Sequence, residues 1–237
     1  MIDKKPLMID IGANYRRIID RIGEAATKVG RNPQDIKLLA AAKSQTVELI
    51  EAAITAGVRL IGDNYVQEAQ AKRQVISQRA EWHMIGHLQR NKVKLALRIF
   101  DLIQSLDDMA LAREIEKEGD KQGRQVRTFI EVNLGEEESK AGIERGKVAE
   151  LVKRVGDLSH LRVEGLMAVP PFRENPEDIR PYFCILKELQ LELQPLNIPN
   201  VALNELSMGM THDYAVAIEE GATIVRIGTA LFGPREK

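Results

Sequence analysis

The apolar positions of this chain fall into two periods. Between Ile11 and Gly30, residues Ile11, Tyr15, Ile18, Ile22, Ala25 and Val29 recur at spacings of three and four. That spacing predicts an amphipathic helix, with Gly30 as its stop. Beyond it, short apolar runs alternate with helical stretches. The runs are LLAAAK (38–43), RLIGDN (59–64), WHMIGH (82–87), DLIQSL (101–106), TFIEVN (128–133), VEGLMAVP (163–170), LNELSMG (203–209) and TIVRIGTALFG (223–233). Among the stretches between them, Leu111 and Ile115 share a helical face in 107–121, and Val148, Leu151, Val152 and Val155 do so in 144–155. Ile179, Tyr182, Phe183, Leu186, Leu189 and Leu193 share one in 176–194, where Pro181 is tolerable in the first turn.

Short strands alternating with helices predict right-handed βαβ units and a parallel sheet. Eight such units fit a barrel of about 200 to 250 residues. The expected fold is therefore α/β: a single-domain (β/α)8 TIM-type barrel over 1–237, with one extra helix at its N-terminal end. The rival is a doubly wound open sheet, which calls for a glycine-rich dinucleotide loop. RIGTALFG is not GxGxxG and is not expected to open a helix. LGEEESKAG (134–142) and VPPFRENPE (169–177) read as surface loops.

Composition narrows the picture. The chain has 237 residues, 44% hydrophobic and 29% charged, with a net charge of −1. Such a balance offers no electrostatic grip on nucleic acid or an anionic membrane. No apolar run approaches the roughly 18 residues of a membrane helix. The start, MIDKKPLMIDIG, lacks the apolar core of a signal peptide, so the expected location is the cytoplasm. Cys184 is the only cysteine, which excludes an internal disulfide; among the apolar residues of PYFCILKEL it reads as a small core residue.

In a barrel, chemistry gathers on the face where the strands end. The residues there are Lys43, Asp63, Asn64, Gly86, His87, Ser105, Asn133, Pro170, Ser207 to Gly209, and Arg226 to Thr229. Five apolar residues lead straight into Lys43, which either surfaces into water or sits desolvated at the mouth as an amine nucleophile. SMGMT and RIGT supply the hydroxyls of Ser207 and Thr229 beside Gly209 and Gly228. These are ordinary turn residues, or they are the converging donors of a phosphate cradle. An amine and a phosphate cradle across one mouth suit an aldehyde with a phosphate handle, pyridoxal 5′-phosphate (PLP). Arg226 is then either a structural salt bridge at the rim or a partner of the pyridine nitrogen. In the second role it donates only, leaves that nitrogen unprotonated and weakens the electron sink. His83 and His87 do not read as a zinc pair. WHMIGH reads as a strand broken by Gly86, with Trp82, Met84 and Gly86 on the face opposite His83, so no metal is expected.

AAAK, GDNYVQEAQAK, WHMIGHLQRNK, IQSLD, VNLGEEESKAG, GLMAVPP, LSMGMTHDYAVAI and VRIGTALFGPR, in that order over about 38–235, resemble the signature blocks of the YggS/PROSC family of PLP homeostasis proteins. The resemblance implies a barrel similar to the cofactor-binding domain of alanine racemase, PLP fold type III. It implies that Lys43 forms the Schiff base and that Arg226 sits near the pyridine nitrogen. It makes Ser207, Gly228 and Thr229 phosphate ligands and puts Asn64 close to the ring, with Met84, His87 and Met208 lining the pocket. Lys140, in ESKAG, matches a lysine implicated in secondary cofactor handling. Two positions depart from the family pattern. Asp63 stands for a common glutamate, and Gln45 stands where a second lysine is common, which puts transfer through that lysine in doubt.

The expected function is a monomeric PLP carrier or buffer in the cell, with apo-enzymes that need PLP as candidate recipients. The alternatives are a fold type III racemase or decarboxylase, and a Schiff-base aldolase without PLP. Racemases of the resembling fold use a tyrosine from a second domain. This sequence closes at Lys237, just past the last strand, so efficient carbanion chemistry is not expected.

Overall fold

The computed structural model describes residues 9–135 and 141–234. Its elements, in order, are α1 (Ile11–Lys28), β1 (Lys37–Ala41), α2 (Val47–Ala56), β2 (Leu60–Asp63), α3 (Val66–Val75), β3 (Glu81–Met84), α4 (Val93–Ile99), β4 (Leu102–Leu106) and α5 (Met109–Gln122). There follow β5 (Val126–Asn133), β6 (Ile143–Glu144), α6 (Arg145–Val155), β7 (Leu161–Met167), α7 (Arg180–Leu193), β8 (Val201–Met210), α8 (Tyr214–Glu219), β9 (Ile224–Ile227) and α9 (Thr229–Phe232).

Eight strands close on themselves. β1 pairs in parallel with β2, β2 with β3, β3 with β4, β4 with β5, β5 with β7, β7 with β8 and β8 with β9. β9 returns to β1, with Ala40 opposite Ile227. The expected barrel is thus the observed one. β6 was not expected; it adds two residues to β5 outside the ring.

Period-two alternation gives each strand two faces. Leu39, Leu60, Leu102, Phe129, Met167 and Ile224 point inward and pack against one another. Their neighbours pack outward against the helices, forming the larger core. The cap of α1 is Asp10, whose carboxylate accepts from Ala13 N at 2.8 Å. α1 buries Ile11, Ile18, Ile22, Ala25 and Ala26. Val29, expected on that face, lies past the helix end and is exposed. Pro181 does sit in the first turn of α7.

Three further expectations change. The strand in WHMIGH stops at Met84, two residues short of Gly86, although Ile85 N still donates to Asp63 O at 3.0 Å. TIVRIGTALFG does open a helix: β9 gives way at Gly228 to the single turn α9, which tucks Leu231 and Phe232 into the core. Cys184 is half-buried and not a core residue. Its thiol donates to Glu220 Oε2 at 3.1 Å, and burial together with that carboxylate pushes it up to about 11. Among the described residues no helix is long and apolar enough to cross a membrane.

Candidate functional site at the barrel mouth

Lys43 lies two residues beyond Ala41 on the inward register of β1 and is half-buried. Its ammonium is 5.2 Å from the centre of the Tyr65 ring, a cation–π contact. Among the described residues it makes no hydrogen bond or ion pair. The backbone on either side is fixed. Ala42 N donates to Gly62 O at 2.8 Å, and Ala42 O accepts from the buried Lys72 ammonium at 2.6 Å. Ser44 takes φ +61°, where a non-glycine residue is strained, and its N–H donates to Glu68 Oε1 at 2.6 Å.

Lys72 ties this corner together. Besides Ala42 it reaches Asp63 Oδ2 at 2.7 Å and Glu68 Oε1 at 2.6 Å. Burial pushes the Asp63 carboxyl up, and Lys72 pulls against it. The other oxygen of Asp63 accepts from Asn64 N at 2.7 Å and Tyr65 N at 3.2 Å. The short side chain therefore holds Asn64 at the end of β2. Gly86 makes room for that turn: a Cβ there would fall 2.6 Å from Asn64 O and 2.8 Å from Asn64 Cα.

Across the β1–β9 seam sits Arg226, buried and inward. One of its nitrogens donates to Ser207 O at 2.6 Å and Ser207 Oγ at 2.8 Å, and the other to Ala168 O at 2.7 Å. Burial draws the guanidinium down to about 10, while Glu131 and Asp213 hold it up. No carboxylate lies within ion-pair distance among the described residues, so Arg226 is no rim salt bridge. Two positions on, a Cβ at Gly228 would lie 3.6 Å from Ala41 O, which places the bare end of β9 beside the chain that leads to Lys43. Thr229 follows, exposed, at the start of α9.

Other expected residues are placed differently. The Ser207 hydroxyl is buried and donates to Gln104 Oε1 at 2.6 Å, so its proton is committed inside the barrel and not offered to a phosphate. A hydroxyl that the sequence reading passed over lies nearer α9: Thr211 Oγ1 accepts from Ala230 N at 3.3 Å. The signal for it was the last letter of SMGMT. Met208 is wholly buried on the outward face of β8, in the core under the helices, because alternation turns it away from Ser207 and Arg226. Met84 is outward too, yet it edges a groove of about 430 Å³ with Asn64, Tyr65 and His87. His87 is exposed, with Nδ1 3.7 Å from Asp107 Oδ2. Lys140 lies outside the described residues. Glu131, which sequence reading also passed over, is buried on the inward register of β5 with Oε2 unpartnered. Burial, with Asp107 adding to it, pushes its carboxyl up to about 7 against the pull of Arg226.

An uncommitted amine, a buried guanidinium without a carboxylate and an unobstructed glycine on the adjoining strand fit PLP. Comparison with known proteins agrees. The alanine racemase N-terminal domain family matches residues 14–236. The pyridoxal phosphate homeostasis protein of Aquifex aeolicus is 48% identical over 221 residues, covering 93% of this chain and 96% of that protein. This chain belongs to the pyridoxal phosphate homeostasis protein family. Within reach of that family lies the structure of PipY from Synechococcus elongatus with PLP bound. It is 32% identical, with a TM-score of 0.80 over 91% of this chain and 100% of its own. Alanine racemase from Clostridium difficile is 13% identical, with a TM-score of 0.73 over 95% of this chain and 57% of its own; at that distance the likeness is one of fold. The homeostasis family thus shares the racemase barrel.

Proposed function

We propose that this protein holds PLP on Lys43 and serves intracellular PLP homeostasis as a buffer or carrier. PLP supplies an aldehyde that condenses with a lysine amine, releasing water. Lys43 supports the reading because it is a half-buried amine with no hydrogen bond or ion pair among the described residues, just past the strand that pairs with the one leading to Gly228. Gly228, Thr229 and Thr211 are the groups we assign to the phosphate, and Asn64 and Arg226 those we assign to the ring. His87 and Met84 edge the same mouth. Arg226 can only donate, so it does not supply the proton that a carbanion-stabilising site places on the pyridine nitrogen. That favours holding over turnover. The protein acts in the cytoplasm, as a monomer, and hands PLP to apo-enzymes.

The test is direct. Protein mixed with PLP turns yellow, and borohydride followed by digestion leaves the cofactor mass on the peptide containing Lys43. Lys43→Ala loses the visible band and retains weak binding. A label on a different lysine, or an unchanged band in Lys43→Ala, overturns the assignment. Proton exchange at Cα of an amino acid, well above the rate with free PLP, moves the protein to the racemase or decarboxylase class.

A further inference from the structure

The barrel has a second opening, at the end where its strands begin. A cavity of about 330 Å³ enters there, floored by the inward side chains Leu60, Leu102, Phe129 and Ile224. Its size suits one ring or one branched aliphatic group, at the small end of ligand pockets. The rim is charged, and nearly every charge is matched. Lys37 pairs with Glu205, and Arg127 bridges Glu81 at 2.6 Å and Glu164 at 2.9 Å. Arg59 is the exception. One of its nitrogens donates to the carbonyls of Ile54 and Val58 at 3.1 and 3.0 Å, and it has no carboxylate partner among the described residues. Outside, a groove of about 930 Å³ sets Arg59, Arg73, Arg79 and Arg127 against only Glu81 and Asp101.

A hydrogen-bond chain runs from this cavity to the other mouth. Arg226 donates to Ser207 Oγ, and Ser207 donates to Gln104 Oε1. Gln104 Nε2 is 2.8 Å from His83 Nδ1, and His83 Nε2 is 3.0 Å from Glu81 Oε1. The amide nitrogen donates, so His83 Nδ1 accepts and Nε2 carries the hydrogen. Every hydrogen in the chain points from the cofactor end towards the cavity. His83 and Gln104 are buried, and His83 lines the cavity, so a change there bears directly on its partners in the chain. Reversal of the chain turns on the Gln104 amide, which accepts from His83 Nδ1 when that nitrogen carries a hydrogen. Gln104 then turns its oxygen to His83 and its nitrogen to Ser207, so Ser207 Oγ accepts from both Gln104 and Arg226 and its own hydrogen has to leave Gln104 for another acceptor. The charged groups around His83 are Glu81 on β3, Arg127 on β5 backed by Glu164 on β7, and the Lys37–Glu205 pair from β1 and β8. An anion on Arg59 enters the cavity that His83, Glu81 and Arg127 also line, and so acts on the cavity end of the chain.

We propose that this lower opening binds a small organic carboxylate with an apolar body, the carboxylate on Arg59 and the body on Leu60, Phe129 and Ile224, and that its occupancy is relayed to Arg226. The relay rests on the PLP reading above; the site does not. PLP-free protein is therefore titrated first, by calorimetry, with benzoate and 3-methylbutanoate, with acetate and benzyl alcohol as controls for charge and body alone. Saturable binding of benzoate or 3-methylbutanoate, absent for both controls and weakened about tenfold in Arg59→Gln, is the expected result. Failure of both probes to saturate, or full-strength binding to Arg59→Gln, overturns the site. Arg59→Gln gives up the hydrogen bonds to Ile54 O and Val58 O, so its melting temperature falls slightly, while its PLP affinity without benzoate stays at the wild-type value. PLP affinity is then measured with and without saturating benzoate. A change of about five-fold or more is expected in the wild type, as for ordinary coupled sites. It disappears in Gln104→Met, or in Ser207→Ala should the first variant not fold. Equal PLP affinity in the wild type overturns the relay. A protein that binds benzoate but never PLP overturns the cofactor reading and leaves the site standing.

Discussion

Lys72 shows what a single buried charge does here. Its ammonium has three oxygen partners, from Ala42 just past β1, from β2 and from α3, and its side chain is 7% exposed. Lys72→Met leaves Asp63, wholly buried, without its counter-charge. Breaking one side of a buried pair costs about 3–5 kcal/mol, which for a chain of this size is roughly 10 °C in melting temperature. Urea unfolding checks the free energy. The same variant frees Ala42 O, so PLP affinity falls with stability. Glu131 carries the opposite signature. Its carboxyl titrates at about 7 in the folded protein, against about 4.3 in an unfolded chain. Between those values the folded state keeps a proton that the unfolded state has released, so stability falls as pH rises through that window. The loss approaches about 4 kcal/mol above neutrality. Urea midpoints at pH 5 and pH 8 should show this decline in the wild type and a much flatter one in Glu131→Gln. An equal slope in the variant assigns the decline to other groups. Neither residue was legible in the sequence. Lys72 is buried by a carbonyl 30 residues away in sequence, and the Ser207 proton is claimed by Gln104, 103 residues away.

Alternation, by contrast, is local, and it made much of the mouth readable at the level of strands. Lys43, Asn64, Arg226 and Gly228 occupy inward positions at strand ends, where a period of two and the strand-end rule coincide. Met208 was misplaced for the same reason, since it neighbours an inward residue and so faces out. The one-turn α9 and two-residue β6 escaped because neither is long enough to show a period. The ends of β2 and β3 supply a prediction of their own. They approach so closely that only glycine fits at 86, against the backbone of Asn64. Gly86→Ala must push the two ends apart, and overpacking of this kind costs about 1–3 kcal/mol. The displaced group is Asn64 itself, so PLP affinity should weaken together with a modest drop in melting temperature. Fluorescence titration with PLP measures the first. Unchanged affinity would show that Asn64 does not contribute to holding the ring.

Closure of the whole barrel is what makes one site from residues at opposite ends of the chain. Lys43 follows the first strand and Gly228 the last, and they meet only because β9 pairs with β1. A ligand that needs both therefore recognises the closed barrel and not the unfolded chain. An imine alone is a poor discriminator, because any exposed lysine amine of an unfolded chain can form one with an aldehyde. The excess affinity of the native state must come from the groups around the phosphate and ring. At one hundred times its dissociation constant, a native-only ligand adds about 2.7 kcal/mol of stability, roughly 5 to 10 °C at this size. PLP should raise the melting temperature by that order, saturably. Pyridoxal has the same aldehyde and no phosphate, and should raise it far less. Lys43→Ala should keep part of the PLP shift, since the phosphate partners remain, and should show none with pyridoxal. Scanning calorimetry with the two compounds separates the contributions. An equal rise from both in the wild type would place recognition on the amine alone and remove the Gly228–Thr229 corner from the site.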